Sequence, residues 1–366
     1  MTSLGHGSST CSLEWAQEIG FNSFNKGIDY KKGLFIIDNM KIKSSIPPEE
    51  FNGPLNLDIT INSGQTSQPA WINEENYFKE LLIVNNQPVL VRLSTDEITG
   101  AVLMELESNN EFSFKPVMEE IRYIFDLDFN LTLFHEFLKE DPVLAPTIDF
   151  CNGLRLFKAH NVFECLISSI CSANNSIIRW SRSIGTMRQK WGDSCILPSG
   201  RFYTFPTSET ILQLPEHEVE EMEMCGGEKN IEECIHNLKA CGVGYRGKYM
   251  KDAAKMVTER ISLHELGQMS YEKAFESLLD LPGVGPKVAD CILLYGYGRG
   301  EAFPTDIWIK RIISHLYFEG KDVKVDKIRE FGQEHFGEYA GYTQLYLFHY
   351  ARKSGLLDKL KPLKKQ

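Results

Sequence analysis

From Leu55 to Glu107 apolar and polar residues alternate with a period of two, as in Leu55, Leu57, Ile59 and Ile61, and the apolar runs 81–84 and 89–93 flank Asn85-Asn86-Gln87-Pro88. Successive side chains of a strand point to opposite faces, so this pattern predicts a twisted antiparallel sheet with a turn at the asparagines. After Glu119 the apolar spacing lengthens to three and four residues, in 162–170, 177–191, 248–266, 271–279, 288–295 and 307–318. That is the period of amphipathic helices, and the rest of the chain is expected to be a helical assembly. Residues 44–54 gather Ser, Pro and Gly between two strand-like stretches and are expected to form a linker. Ahead of them, 34–42 reads either as an extra strand or as part of a loosely attached extension.

Charge is distributed unevenly. About −13 falls in residues 1–150 and about +2 in the remainder, for a formal total of −11, and the chain carries a basic run at 359–365. The two parts are expected to have different partners, and any nucleic-acid contact must be local and geometric, because there is no general positive potential. With 366 residues, 42% of them hydrophobic, the chain is long enough for two or three packed domains, which excludes a disordered tail and a small disulfide scaffold. No apolar run approaches a membrane span, and Met1 to Cys11 lacks the layout of a signal peptide, so an intracellular location is expected. Nine cysteines without a Cys-x-x-Cys pair fit free thiols in a reducing compartment. Cys225, Cys234 and Cys241, with His236 among them, are too widely spaced to read as a metal site.

Leu281-Pro282-Gly283-Val284-Gly285-Pro286-Lys287 lies between two helical stretches and predicts a helix, a tight hairpin and a second helix. Gly283 and Gly285 permit a turn that points backbone N–H groups outward, where a phosphate accepts them and the dipole of the following helix favours its charge. Such a device grips a DNA backbone without reading sequence; the plain alternative is an αα-turn with a glycine cap. Lys287 opens the second helix, where a cation opposes the positive end of the dipole. It reads either as an amine of lowered pKa, able to attack an aldehyde-like carbon, or as a phosphate-binding lysine at the hairpin tip. Asp306, in Pro304-Thr305-Asp306, stands where it would cap the helix 307–318. A carboxylate beside a lysine also stabilises positive charge on a sugar ring and assists proton transfer. Cys291, four residues after Lys287, projects from the same helix face.

Together these residues resemble the helix-hairpin-helix DNA glycosylase superfamily, and within it the 8-oxoguanine DNA glycosylase/AP lyases. The resemblance covers most of 63–352 through Ser63-Gly64-Gln65, Phe163-Glu164-Cys165-Leu166-Ile167, Cys171-Ser172-Ala173-Asn174-Asn175, Gly242-Val243-Gly244-Tyr245-Arg246, Lys287-Val288-Ala289-Asp290-Cys291 and Tyr339-Ala340-Gly341-Tyr342-Thr343-Gln344. It implies that Lys287 attacks C1′ of the damaged nucleotide with the help of Asp306. It further implies that Gly64 offers its carbonyl to the N7 hydrogen of 8-oxoguanine, that Gln344 bonds the Watson–Crick edge, and that Cys291 and Phe348 sandwich the flipped base. On the other strand it implies that Asn174, Arg179 and Arg246 contact the orphaned cytosine and that Tyr245 is the wedge, while Gly283, Val284 and Gly285 hold a phosphate. Each residue also has an ordinary reading: a turn for Gly64, core packing for Phe348 and Cys291, a helix cap for Asn174, and solvated side chains for Tyr245, Arg179, Arg246 and Gln344.

Two stretches depart from the family pattern. Trp308 stands two residues after Asp306, where many eukaryotic members have histidine, and Thr66-Ser67-Gln68-Pro69-Ala70-Trp71 follows Gly64-Gln65 where Ser-Phe-Arg-Trp is usual. No cysteine follows Cys291, so the iron–sulfur cluster of the related endonuclease III group is not expected.

The expected fold is α+β: an unassigned extension at 1–50, a twisted antiparallel sheet domain at 51–135, a helical domain at 136–262 and a helix-hairpin-helix catalytic domain at 263–366, with the active site in the cleft of the two helical domains. The expected function is base excision by flipping, with an imine on Lys287 and strand nicking by β-elimination. The expected partner is double-stranded DNA containing oxidised guanine, acted on by a monomer without metal or organic cofactor and without a membrane. Two rivals use the same hairpin: a monofunctional glycosylase for alkylated bases, which does not need Lys287, and a non-catalytic DNA-binding module.

Overall fold

The computed structural model describes residues 28–29, 34–38, 40–214, 237–356 and 360. Cys225, Cys234, His236 and, apart from Leu360, the basic run at 359–365 lie outside the described residues. Two compact units emerge: one from the described residues up to 50 with 71–120 and 195–202, the other from 51–70, 121–194 and 203 onward.

In the first unit seven strands form one antiparallel sheet: β1 (Ile28–Asp29), β2 (Leu34–Asp38), β3 (Lys41–Ile46), β4 (Ile72–Glu74), β5 (Tyr77–Val84), β6 (Gln87–Thr95) and β7 (Val102–Glu107), in the order β1-β2-β3-β7-β6-β5-β4. The alternation of the sequence sets the pleat. Ile42, Ile46, Met104, Leu106, Val91, Leu93, Phe78 and Leu82 are buried, whereas the register aligns Lys43, Glu105, Arg92 and Lys79 across four strands on the opposite face. Asn85 and Asn86 both take positive φ and close the β5–β6 hairpin as a two-residue turn whose twist matches the strands. A second hairpin, β8 (Ser194–Leu197) and β9 (Gly200–Tyr203), packs Leu197 and Phe202 on Leu81 and Leu90.

Residues 34–38 and 41–46 are therefore strands, and 44–46 are not linker. Ser44, Ser45 and Ile46 pair with Met104, Leu103 and Val102; Ser44 is buried, its backbone satisfied by the ladder.

The second unit carries the helices α1 (Leu57–Ile61), α2 (Phe114–Ile124, shared with the first), α3 (Leu131–Glu140), α4 (Thr147–Cys151), α5 (Val162–Ser172), α6 (Ile177–Trp191), α7 (Ser208–Gln213), α8 (Arg246–Glu259), α9 (Leu263–Leu266), α10 (Tyr271–Leu279), α11 (Pro286–Cys291), α12 (Ile307–Tyr317), α13 (Val325–Phe336) and α14 (Ala340–Lys353). The strand expected at 55–61 is the helix α1. Over so short a stretch the two periods overlap; the Asn56 side chain accepts from Ile59 N at 3.1 Å and starts a helix that buries Leu57, Thr60 and Ile61 on one face. Residues 51–70 and 121–135, assigned from the pattern to the sheet domain, pack with the helices instead. The helix expected at 248–266 breaks after Glu259, and Ser262 caps α9.

One apolar core runs through this unit and includes Phe134, Leu166, Trp180, Leu293, Ile312 and Tyr346. Each such side chain contributes about 1.5–3 kcal/mol on burial. Within that core Arg155 is fully buried and spends all five N–H groups on backbone carbonyls, those of Asn52, Gly53, Pro54, Asp126 and Phe129, at 2.7–3.1 Å. It ties down the segment leading to Gly64. Gln65 completes the tie: its Nε2 donates to the Arg155 carbonyl at 2.9 Å and its Oε1 accepts from Phe157 N at 2.9 Å.

Candidate active site

The predicted hairpin follows α10. Gly283 turns it at φ +82°, a conformation that costs glycine little, and Val284 anchors it by burial while its N–H donates to the Leu281 carbonyl at 3.0 Å. Gly285 is exposed and caps α11 without any side-chain bond, and Pro286 at the first helical position has no N–H to satisfy. The first-turn donors of α11 are thus not consumed by a capping side chain, which leaves them to an anion. After Cys291 the helix widens into a π-helical stretch, Ile292–Gly296.

Lys287, on the first turn of α11, feels Cys291 one turn later and lies within the field of Asp306. Burial pulls the ammonium towards lower pKa, but the Cys291 sulfur one turn later and the Asp306 carboxylate outweigh it and leave the pKa raised. Of the two readings open from the sequence, the amine of lowered pKa is not favoured here, because the Asp306 carboxylate and Cys291 hold the Lys287 pKa up. Burial pushes the Cys291 thiol up, against the pull of Lys287 and of hydrogen bonds from Lys287 and Thr66. Asp306 is the N-cap of α12, as its position suggested: its Oδ1 accepts from Trp308 N at 2.9 Å and Ile309 N at 2.8 Å. Both bonds use one oxygen, and the other is the one able to face a sugar.

Sequence reasoning missed what fixes this helix. Asp290, between Lys287 and Cys291, is fully buried and meets Arg329 of α13 in a two-pronged pair, Nε to Oδ2 at 2.7 Å and Nη2 to Oδ1 at 3.0 Å. Tyr271 of α10 donates to the same carboxylate, and Gln333 donates to the Tyr271 hydroxyl at 2.8 Å. The available signal was an aspartate inside an otherwise apolar helical run.

Gly64, at φ +86°, lies against Ile177; its backbone conformation is one that L side chains rarely adopt, and a Cβ would stand 2.3 Å from Cδ1, the end of the Ile177 side chain. Its neighbour Ser63 accepts at the carbonyl from Arg352 Nη1 of α14 at 3.0 Å, and the Arg352 guanidinium stands 5.4 Å from the ring of Phe348. Gln344, one turn before Phe348, is buried and its Oε1 has no hydrogen-bond partner. The structure thus links the Gly64 loop to Cys291 through Thr66, and to the helix of Gln344 and Phe348 through Arg352. Arg352 was not singled out from the sequence, although its spacing of eight from Gln344 and four from Phe348 marks one helix face.

The residues expected at the orphaned base behave differently. Arg246 is buried; its Nε and Nη2 donate to the carbonyls of Ala173 and Asn174 at 2.7 and 2.9 Å, and Nη1 to that of Val243 at 3.3 Å. It serves the backbone of the Asn174 turn, where Asn174 takes a positive φ of 50°, and is not directed outward as the resemblance implied. Asn174, Arg179 and Tyr245 are exposed. Tyr245 rests on Arg246, whose guanidinium carbon is 4.5 Å from the ring centre. Trp308 is also exposed, with the Arg311 guanidinium 5.2 Å from its ring.

Two family models match in tandem: the 8-oxoguanine DNA glycosylase N-terminal domain over residues 46–166 and the HhH-GPD superfamily of base excision DNA repair proteins over 167–337. A probable N-glycosylase/DNA lyase of Methanothermobacter thermautotrophicus is 41% identical over 309 residues, 84% of this chain and 97% of the relative. The chain belongs to the 8-oxoguanine DNA glycosylase/AP lyase family. Among solved structures of this family, MBOgg1 with a low-affinity DNA ligand superposes with a TM-score of 0.70 at 28% identity, over 88% of this chain and 98% of that one. The Clostridium acetobutylicum 8-oxoguanine glycosylase/lyase, in complex with double-stranded DNA containing cytosine opposite 8-oxoguanine, superposes with a TM-score of 0.68 at 28% identity, over 88% and 99%. For a glycosylase/AP lyase of this family the mixed α+β architecture, a sheet followed by helices, is the shared frame. Among the described residues no helix is long and apolar enough to cross a membrane.

Proposed function

We propose that this chain flips 8-oxoguanine out of duplex DNA, excises it through an imine on Lys287, and nicks the strand by β-elimination. The observation that carries the reading is geometric: Lys287 opens α11 right after the hairpin, Asp306 caps α12 with one carboxylate oxygen, and the buried Gln344 Oε1 has no hydrogen-bond partner. Bound between Cys291 and Phe348, the base would meet the Gly64 carbonyl at N7–H and the vacant Gln344 Oε1 at its Watson–Crick edge. Both are acceptors, and a buried acceptor left without a donor costs about 1–3 kcal/mol, which a base bringing N–H groups relieves. Once Lys287 is deprotonated, its Nζ lone pair attacks C1′ as the bond to N9 breaks and the base leaves with that electron pair. The Asp306 carboxylate stabilises the positive charge that develops on the sugar. The C1′–O4′ bond then breaks, O4′ taking up the proton that Nζ gives up, to leave the imine; loss of a proton from C2′ of its protonated form breaks the C3′–O bond and releases the 3′ phosphate. Asn174 and Arg179 face the cytosine left behind, with Arg246 holding their turn, and Tyr245 fills the emptied stack.

The enzyme acts as a monomer where the genome lies, the helical unit dividing near residue 262 so that the pocket opens at the division. A monofunctional enzyme for alkylated bases would leave Lys287 and its acidic partners without a task. Incubation with a duplex bearing 8-oxoguanine opposite cytosine, followed by borohydride, is expected to yield a covalent adduct that Lys287→Gln abolishes while DNA binding persists. Release of base without any adduct would instead indicate the monofunctional enzyme, and binding without release the non-catalytic module.

A further inference from the structure

The hairpin and the orphan-base side of the site are joined through a single ring. A Cβ at Gly283 would stand 2.7 Å from Cβ and 2.9 Å from Cγ of Tyr249, the root of that side chain and not its flexible end, so the hairpin turn sits directly on α8. Tyr249 in turn meets Tyr245 edge-on, with ring centres 6.2 Å apart and planes at 88°. On its other contact Tyr245 rests on the Arg246 guanidinium, which clamps the carbonyls of Ala173 and Asn174. Both tyrosine rings remain substantially exposed, 39% for Tyr249 and 56% for Tyr245, beside the glycines of the hairpin. Among the described residues no hydrogen bond engages the Tyr249 hydroxyl, so its contribution lies in the ring.

A hairpin that holds a phosphate and a side chain that enters the stack must meet the same duplex with their spacing already set. An exposed tyrosine has two free side-chain torsions, and only neighbouring groups can restrict them. Tyr249 supplies that restriction from the hairpin side and Arg246 from the other. We infer that Tyr249 is a positioning residue that couples the hairpin's hold on the backbone to the wedge Tyr245, so that gripping and base extrusion occur in register. The inference rests on the roles of the hairpin and Tyr245 proposed above.

Wild type, Tyr249→Ala and Tyr249→Phe are to be compared on two duplexes, one with 8-oxoguanine opposite cytosine and one with a preformed abasic site opposite cytosine. Single-turnover excision is read on the first and borohydride-trapped adduct on the second, where no base has to be extruded. Tyr249→Ala is expected to slow excision about tenfold, the factor of one aromatic contact, while trapping stays within about twofold and Tyr249→Phe matches wild type. Equal slowing on both duplexes assigns Tyr249 a merely structural part and overturns the inference. So does unimpaired excision by Tyr249→Ala, or failure of Tyr249→Phe to restore it. Failure of the underlying reading looks different: wild type itself then releases no 8-oxoguanine.

Discussion

Around Lys287 the polar groups are buried or half-buried and paired: Asp290 with Arg329 and Tyr271, Cys291 beside Lys287 and Thr66, and Asp306 with two backbone amides. Around Asn174 and Tyr245 the groups that would meet DNA stand in solvent, and their order comes from one buried arginine beneath them. On the roles proposed above, the contrast follows from what each side has to do. Bond-making at C1′ requires the amine to be held to a fraction of an ångström, which only a packed and hydrogen-bonded support achieves. A surface that receives a whole duplex must stay open, and there the fold fixes the backbone and leaves the side chains free.

If that contrast is right, the largest effect on stability comes from opening the buried side. Arg329→Ala leaves Asp290 without its cation and is expected to cost about 3–5 kcal/mol in urea unfolding, the usual penalty for an uncompensated buried charge. A loss below about 1 kcal/mol would mean that the carboxylate is already neutral or that water reaches it.

Next in size is a pH effect from His349, buried on the same helix as Gln344. Burial, followed by the charges of Lys353 and Arg352, lowers its pKa from 6.5 to about 4. Between those values the unfolded chain holds the proton more tightly than the folded one, so this contribution is fully present above pH 6.5 and is lost as the pH falls to 4. The loss amounts to at most roughly 3 kcal/mol, and His349→Gln is expected to remove that part of the slope from a pH series of unfolding curves.

The smallest differences fall on the open side and sharpen the contrast. Arg246→Ala removes three bonds to backbone and is expected to cost about 1–3 kcal/mol, whereas Arg179→Ala stays within about 0.5 kcal/mol of wild type. Arg179→Ala is expected instead to narrow the ratio of excision opposite cytosine to excision opposite adenine. A stability loss as large as that of Arg246→Ala would make Arg179 part of the scaffold.

What the sequence made legible was local. Ile177–Trp191 and Tyr271–Leu279 are helices over the very residues that the apolar spacing marked, and the hairpin after Leu279 follows from its glycines and proline. Where a segment was short, as at Leu57–Ile61, period alone misassigned it and the Asn56 cap decided. Pairings between distant residues left no local trace. The 39-residue separation of Asp290 and Arg329, and the return of β8 and β9 to a sheet formed nearly a hundred residues earlier, arise only when the chain closes on itself. Arg246 illustrates the same limit within the site: its position is legible from the Gly-Val-Gly-Tyr-Arg stretch, its inward direction is not.

The bond from Arg352 to the Ser63 carbonyl spans 289 positions of sequence. A chain emerging from the ribosome makes the Gly64 loop long before the helix that ties to it. Until that helix arrives, the Gly64 loop is held through Gln65 and Arg155 but lacks its tie to the helix that carries Gln344 and Phe348. On the roles proposed above, a partly synthesised or C-terminally trimmed chain is expected to keep its hairpin but to lack Gln344, Phe348 and the Arg352 tie, and so to hold DNA without excising a base.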